Sequence, residues 1–263
     1  MNANTCLVLA GPSLPAERPL VDAAKRRGWG IVIDDPPAPA SSDGKPVFYV
    51  STDRALAMAQ KWSVTLLEPS LDLLTRIPFH LRRRAVEYAR FADLQRLSAA
   101  AFVKPADPLH KVFDAGVYRR DQLATLKVDP QTPVLVADPV DWSAELRCFI
   151  LDGQVAAWSP YLSFGGPNWK PYASGRLAAE VPPALRALCA RLFAHPGLAL
   201  PPAFVMDVGV IEEEGWAIVE FNPAWCAGIL GANPGRVLDV LERATRPPCG
   251  LSVMDGRFVI KRG

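Results

Sequence analysis

Short apolar runs alternate with helical patterns over the first third of the chain. The runs TCLVLA, WGIVID, PVFYV and VTLLE predict four strands, and residues 16–27 and 53–61 predict helices. Such βαβ alternation predicts a parallel sheet with helices packed against it. No G-x-G-x-x-G motif follows the first run, so the pattern does not support a dinucleotide site. We therefore predict an N-terminal parallel-sheet domain over residues 1–75.

The pattern changes beyond this domain. Residues 79–97 predict one long helix that carries three consecutive arginines, Arg82–Arg84. Runs of charge usually lie on a solvated face, so we favour that interpretation over an anion- or RNA-binding groove. After Ala100 apolar strands follow one another closely, which predicts antiparallel pairing. Near the end of the chain, Asn233 and Pro234 predict the start of a helix.

The segment AELRCFILDGQVAAWSPY predicts a hairpin, because Asp152-Gly153 is a strong two-residue turn signal. With that turn, Arg147 would face Trp158 on the partner strand. Glu145 and Arg147 share one face, since side chains alternate along a strand. They form either a structural ion pair or a charged wall that meets a ligand, because two charges entering an apolar strand need a partner.

A second hairpin is predicted from FVMDVGV and WAIVEFN. A turn centred on Glu213-Glu214 places Asp207 opposite Glu220, whereas a turn one residue later places Asp207 opposite Asn222. Three oxygen-bearing side chains converge on one face in either register, because side chains of residues two apart lie on the same side.

This acidic face favours a metal site. Two directly opposed carboxylates repel each other, and a cation between them removes the repulsion. Carboxylate and amide oxygens suit Mg²⁺, and Gly209 leaves space for a ligand on the same face. The alternative is an edge hairpin with solvated acids. We favour the metal because an exposed face is usually more polar than this one.

Composition narrows the class of protein. The chain has 263 residues, 29 basic and 27 acidic, with a formal net charge of +2, which gives no strong attraction to nucleic acid or membrane. No apolar run approaches the ~20 residues of a membrane span. The first residues lack a basic segment, and five cysteines form no C-x-x-C pair. We therefore expect no signal peptide, reduced thiols and a cytoplasmic location.

The order of these motifs resembles the ATP-grasp superfamily. FVKP, then VLVADP, E-x-R before a hairpin, M-D-V-G and V-E-F-N-P follow one another between residues 76 and 245. The chain is most similar to small ATP-grasp-domain proteins of unassigned substrate. The resemblance implies a mixed α/β and α+β fold, with the N-terminal domain followed by an ATP-grasp domain over residues 76–263. Within it, residues 100–138 would form a lid subdomain and residues 139–263 a metal-bearing subdomain, with ATP between them.

The resemblance also implies roles for individual residues. Catalysis would fall to Arg147, directed at the γ-phosphate or acceptor, and to Lys104 on the phosphates. The hinge over residues 134–138 would read the adenine edge near Val136. The nucleotide contacts would be Lys104, Lys111, Val136, Ala137, Asp138 and Glu145. Mg²⁺ would be held by Asp207, Glu220 and Asn222.

The implied activity is an ATP- and Mg²⁺-dependent ligase that converts a carboxylate to an acylphosphate for attack by an amine or similar nucleophile. Its partners would be ATP and a small-molecule or peptide carboxylate. The alternative is a nucleotide-binding module, or an RNA-directed protein, without ligase turnover. The chain departs from the family in the loop 106–116, whose single glycine is Gly116. The segment Ser159–Arg176 is either a substrate loop or an irregular connection.

Overall fold

The computed structural model describes residues 5–10, 14–33, 45–108, 110–161 and 181–260. Within these ranges the chain forms a small parallel sheet, two larger antiparallel sheets and a two-stranded antiparallel pair. No helix in the described part of the chain combines the length and the apolar character that a membrane span requires. The predicted mixture of α/β and α+β architecture is confirmed.

The N-terminal sheet is parallel, as the βαβ pattern predicted. Its order is β2-β1-β3, with strands β1 (Thr5–Ala10), β2 (Gly30–Ile33) and β3 (Lys45–Val50). The helices of this region are α1 (Leu14–Arg26) and α2 (Thr52–Lys61).

The fourth predicted strand does not join this sheet. Strand β4 (Thr65–Leu66) instead pairs antiparallel with β13 (Thr245–Arg246), near the end of the chain. Thr245 also accepts a hydrogen bond at Oγ1 from the backbone N–H of Phe48, 3.1 Å away. The chain end therefore supplies the partner of β4 and joins it to β3, a long-range pairing that alternation of strands and helices does not encode.

The long helix predicted over residues 79–97 is wrong. The structure has short helices α3 (Leu73–Arg76) and α4 (Phe79–Arg82), strand β5 (Val86–Arg90) and a 3-10 helix over Phe91–Arg96. Arg83 ends α4 in the left-handed conformation, with φ 52°. The residues that follow pair with strand β8 (Pro133–Ala137) and include Val86 and Tyr88, types that favour strands, so sheet pairing overrides the helical pattern.

The next region, residues 86–137, contains an antiparallel sheet in the order β5-β8-β6-β7, and its strand β5 lies outside the predicted lid range of residues 100–138. Its further elements are β6 (Ala101–Pro105), β7 (Gly116–Tyr118), helix α5 (Arg120–Leu123) and β8 (Pro133–Ala137). A small apolar core that includes Leu94, Val103 and Leu123 lies on one face of this sheet. Lys104, between core residues of β6, therefore points to the opposite face.

The second large sheet has the order β10-β9-β11-β12. Its strands and the helices that follow them are β9 (Trp142–Leu151), β10 (Gln154–Pro160), α6 (Pro183–Phe193), β11 (Ala203–Ile211), β12 (Gly215–Asn222) and α7 (Pro234–Ala244). One face packs on α7 and the N-terminal sheet through Phe149 and Val205, and the other packs on α6 through Cys148 and Met206. Asn233 caps α7 as predicted, accepting a hydrogen bond from the backbone N–H of Arg236.

The first hairpin turns at Asp152-Gly153, where both residues have positive φ, 44° and 78°. A bulge between Val155 and Ala157 then shifts the register by one residue. Arg147 consequently faces Ser159, and the predicted pairing with Trp158 is wrong.

The second hairpin has the first of the two predicted registers at the acidic residues. Asp207 lies directly opposite Glu220, and Asn222 lies on the same face beyond it. The register shifts at this point, because Asp207 pairs with Glu220 whereas Val208 pairs with Ile218. Val219 is therefore an extra residue in β12, a β-bulge beside the acidic pair.

Candidate active site

A buried ion pair of the site joins β9 and β11. Arg147 donates from Nε to Asp207 Oδ1 at 2.9 Å and from Nη2 to Asp207 Oδ2 at 2.8 Å. The Arg147 guanidinium also lies 4.7 Å from the ring centre of Tyr161. Burial raises the pKa of Asp207 to about 6 in spite of this pair. Burial opposes the charge of Arg147 as well, but the hydrogen bonds to Asp207 hold the pKa of the guanidinium above its ordinary value.

A second ion pair joins the two large sheets. Lys104, on β6, forms a close ion pair through Nζ with Glu220 Oε2 on β12. Asn222 donates from Nδ2 to Glu220 Oε1 at 2.8 Å and to Asp207 Oδ2 at 3.3 Å. Burial would raise the pKa of Glu220, but Lys104 outweighs it and lowers that pKa to about 2. Glu220 is therefore ionised at neutral pH, with a cation already beside it.

Glu145 completes the acidic cluster. It lies on β9 opposite Gly209 and is only 5 % exposed. Burial, together with the nearby carboxylates of Asp207 and Glu220, raises the pKa of Glu145 to about 7. Close to neutral pH this carboxyl group can therefore hold or release a proton.

Two cavities meet at this cluster. The hinge cavity, of about 490 Å³, is mostly apolar and is lined by Val86, Ala137, Asp138, Trp142 and Glu145 among others. The outer cavity, of about 320 Å³, is lined by Ser70, Asp107, Lys111, Asn222 and Pro223 among others. Lys104, Glu220 and Tyr161 line both. Lys104 and Glu220 therefore stand at the boundary between a mostly apolar space and one of mixed polarity.

The structure places most of the predicted nucleotide residues around these cavities. Ala137 and Asp138 line the hinge cavity, and Lys111 lines the outer one. Val136, whose backbone was predicted to read the adenine edge, lies within β8, and its side chain packs against the small apolar core that contains Leu94. Asp138 Oδ2 accepts a hydrogen bond from the backbone N–H of Ala85 at 2.8 Å, which ties the end of β8 to β5.

The predicted metal residues come together, but each already has partners. Asp207, Glu220 and Asn222 share one hydrogen-bonded cluster, and Asp207 is only 1 % exposed. The alternative of an edge hairpin with solvated acids is therefore wrong for Asp207, whereas Glu220 lies on edge strand β12 with its side chain 26 % exposed. Among the described residues, no group of three His, Cys, Asp or Glu side chains is arranged to hold a metal ion.

The predicted free space above Gly209 is filled by Trp142. A Cβ atom placed on Gly209 would lie 2.4 Å from Cε3 of the indole ring. Trp142 begins β9 and lines the hinge cavity. The absent side chain of Gly209 therefore makes room for the indole ring of a cavity-lining residue and not for a ligand. No sequence pattern indicates this contact, because the two residues are distant along the chain.

The arginine run is neither a solvated helix face nor a free anion groove. Arg82 donates from Nε to the carbonyl oxygen of Ile77 at 2.9 Å. Arg83 donates from Nε to the carbonyl oxygen of Trp216 at 3.1 Å, and Arg84 is 7 % exposed and donates to carbonyl oxygens of β12. The favoured prediction of an exposed face is therefore wrong, because all three arginine side chains donate hydrogen bonds to backbone carbonyl oxygens. Within Ser159–Arg176, residues 162–176 lie outside the described residues.

Comparison with known proteins agrees with this fold. The chain is similar to an ATP-grasp RimK domain protein from Sphaerobacter thermophilus, at 17 % identity and a TM-score of 0.53, over 90 % of this chain and 99 % of that one. It is also similar to the D-alanine–D-alanine ligase of Bacillus anthracis, at 12 % identity and a TM-score of 0.51, over 92 % and 96 % of the two chains. No curated protein sequence matches the chain.

At these identities the structural likeness establishes the fold alone, and the sequence supplies the family. The model of one family, described as ATP-grasp domain, R-2-K clade, family 2, matches residues 81–240. That range is more than half of the chain and contains Lys104, Arg147, Asp207, Glu220 and Asn222. Since the family match and the fold agree, the chain belongs to family 2 of the R-2-K clade of ATP-grasp domain proteins.

Proposed function

We propose that the chain is an ATP- and Mg²⁺-dependent ligase that activates a carboxylate as an acylphosphate for attack by an amine or similar nucleophile. The observation that carries this proposal is the meeting of the two cavities at Lys104 and Glu220. The nucleotide base would occupy the apolar hinge cavity, and its phosphates would then reach the charged boundary. The acceptor would occupy the outer cavity, next to the γ-phosphate.

The residues of the cluster would act chiefly by position and charge. Phosphoryl transfer needs orientation and neutralisation of phosphate charge more than covalent participation by the protein. Lys104 would turn from Glu220 to the phosphates, and Arg147 would hold the γ-phosphate or the acceptor. Lys111 is exposed at the outer cavity and would add a second positive charge on the phosphate side.

The donor set fits Mg²⁺ that arrives with the nucleotide. Mg²⁺ usually takes one or two carboxylates and completes its shell with water and phosphate oxygens. Glu220 is ionised and, with Asn222, borders the outer cavity, so these two residues would hold the ion. Both carboxylate oxygens of Asp207 accept hydrogen bonds from Arg147. Asp207 would therefore bind Mg²⁺ only through a remaining lone pair, or after the Arg147 side chain has turned away. Bound Mg²⁺ would neutralise the charge of the phosphate oxygens.

An acylphosphate must be kept from water. The loop 106–116 lines the outer cavity with Ala106 and Lys111, and Ala115 lines both cavities. We propose that this loop covers the boundary during reaction. It would act as a lid in which Lys111 carries out the phosphate contact that glycine-rich loops supply elsewhere.

The test is a coupled assay of purified protein with ATP, Mg²⁺ and pooled amino acids or peptides. We expect release of ADP and phosphate together with a product whose mass equals the two substrates minus one water. Release of AMP would contradict the acylphosphate route. Lys104→Met should lower turnover at least a hundredfold while the protein stays folded. Lys127→Met, an exposed lysine of the lid subdomain, serves as the matched control.

A nucleotide-binding module without ligase turnover is the second candidate. It is favoured by one observation, the use of both Asp207 oxygens by Arg147, which leaves a weaker metal set. Such a module should bind ATP equally well with Mg²⁺ and with EDTA, and it should form no ADP with any acceptor. A clear Mg²⁺ dependence of ATP affinity measured by calorimetry would exclude it.

A further inference from the structure

We propose that Arg84 is a positioning residue that holds the β12 bulge at Val219 and thereby aims Glu220 at Lys104 and Asp207. This inference rests on the proposed function, in which Glu220 receives the cation that accompanies the nucleotide. Arg84 donates from Nη1 to the carbonyl oxygen of Ile218 at 2.8 Å and from Nη2 to that of Val219 at 2.7 Å. These two acceptors immediately precede Glu220 in the chain.

The two acceptors identify what Arg84 holds. In a regular strand the carbonyl groups of consecutive residues point to opposite edges, so one side chain cannot bind both. At a bulge the extra residue turns the backbone, and two consecutive carbonyl groups can face the same way. The planar guanidinium fork spans such a pair, whereas a lysine ammonium is a point donor. The Arg84 contact is therefore specific for the bulged conformation of β12.

The bulge in turn decides where Glu220 points. Side chains alternate along a strand, so removal of the extra residue would send Glu220 to the opposite face of the sheet. On that face lies the apolar core that contains Met206 and Ile218. With the bulge, Glu220 reaches Lys104, and Asn222 bridges Glu220 to Asp207.

Arg84 is itself fixed on its other side. Its guanidinium lies 5.0 Å from the ring centre of Trp142, and Trp142 packs against Gly209 on β11. Burial, reinforced by the neighbouring Arg82, lowers the pKa of Arg84 to about 10, so the side chain remains charged at neutral pH. Arg84 thus lies between the bulge and an aromatic ring, with its hydrogen-bonding donors turned toward the carbonyl groups.

The neighbouring Arg83 provides a matched control. It donates from Nε to the carbonyl oxygen of Trp216, on the same strand but outside the bulge. Arg83→Met therefore also removes an arginine contact to β12 but leaves the contacts of Arg84 at Val219 in place. If the arginines only cover the edge of the sheet, Arg83→Met and Arg84→Met should have similar effects.

The test measures ADP affinity by calorimetry with Mg²⁺ and with EDTA. For Arg84→Met we expect the Mg²⁺-dependent gain in ADP affinity to fall at least tenfold, whereas affinity in EDTA changes less than threefold. For Arg83→Met both affinities should stay within twofold of the unaltered protein. Equal losses with and without Mg²⁺ in folded Arg84→Met would overturn the inference, because Arg84 would then contact the nucleotide directly. An unchanged Mg²⁺ gain would overturn it too.

A double-variant cycle tests whether Arg84 acts through Glu220. In a Glu220→Gln background, Arg84→Met should cause no further loss of the Mg²⁺ gain, since coupled residues are not additive. Additive losses would refute the proposed route. Arg84→Lys keeps the charge and the stem and should lose most of the gain, so full rescue by lysine would also refute it. If the unaltered protein shows no Mg²⁺ gain at all, the proposed function fails first.

Discussion

The substitution Asp207→Asn removes one partner of the buried Arg147–Asp207 pair, so it should weaken the fold as well as the chemistry. The Asp207 carboxylate accepts two hydrogen bonds from Arg147, and the two side chains are 10 % and 2 % exposed, arginine first. An asparagine in the same place offers one acceptor and one donor. The Arg147 guanidinium would then stay buried with half of its partner lost.

The magnitude follows from the burial of this pair. Breaking a buried ion pair by removing one partner costs about 3–5 kcal/mol, because an uncompensated charge remains inside the protein. The ion pair between Arg27 and Asp239 serves as the comparison. Arg27 Nη2 lies 2.7 Å from Asp239 Oδ1, and both side chains are 31 % exposed. Loss of such a surface pair costs at most about 1 kcal/mol. We therefore expect Asp207→Asn to be destabilised by about 3 kcal/mol and Asp239→Asn by less than about 1 kcal/mol.

The assay is urea unfolding followed by circular dichroism, with the slope of the transition compared among variants. The double variant Asp207→Asn/Arg147→Met should recover part of the loss, because the unpaired guanidinium is gone. A free energy of unfolding for Asp207→Asn within about 1 kcal/mol of the unaltered protein would refute the reasoning. The result also governs functional tests, since loss of turnover in Asp207→Asn indicates a metal role only when the variant is folded in the assay.

Two further outcomes follow from the same walls of the site. Gly209→Ala should destabilise the fold by about 1–3 kcal/mol in urea unfolding, because the new methyl group collides with Trp142. The control Gly256→Ala has open space around the new methyl group and should stay within about 0.5 kcal/mol of the unaltered protein. Equal unfolding midpoints for the two variants would contradict the clash. The pKa of Glu145 is about 7 in the native protein and near the ordinary value of 4.5 in the unfolded chain. Between these pH values the native state therefore binds more protons than the unfolded state. The free energy of unfolding should fall as pH rises through that window. The fall attributable to Glu145 is at most about 3 kcal/mol, and Glu145→Gln should remove it; parallel stability curves for the two proteins would contradict this origin.

Much of the site could be anticipated because its signals are local. The turn residues Asp152-Gly153 predicted the first hairpin, and period-two alternation predicted that Asp207 and Glu220 share a face. Predictions failed where one extra residue changed a register, as at the bulge that moved Arg147 opposite Ser159. A bulge depends on what the backbone meets in the folded state and leaves no periodic mark in the sequence.

The sequence by itself determined the first three strands and two helices, the two hairpins, the acidic face and the family to which the motifs point. Tertiary structure alone decided which cation neutralises each acid. Arg147 is 60 positions from Asp207 and Lys104 is 116 positions from Glu220, and Arg84 reaches a carbonyl group 134 positions away. Alternation and turn chemistry act between neighbours in the chain, whereas Arg147 meets Asp207 through the pairing of β9 with β11 and Lys104 meets Glu220 through the packing of two sheets.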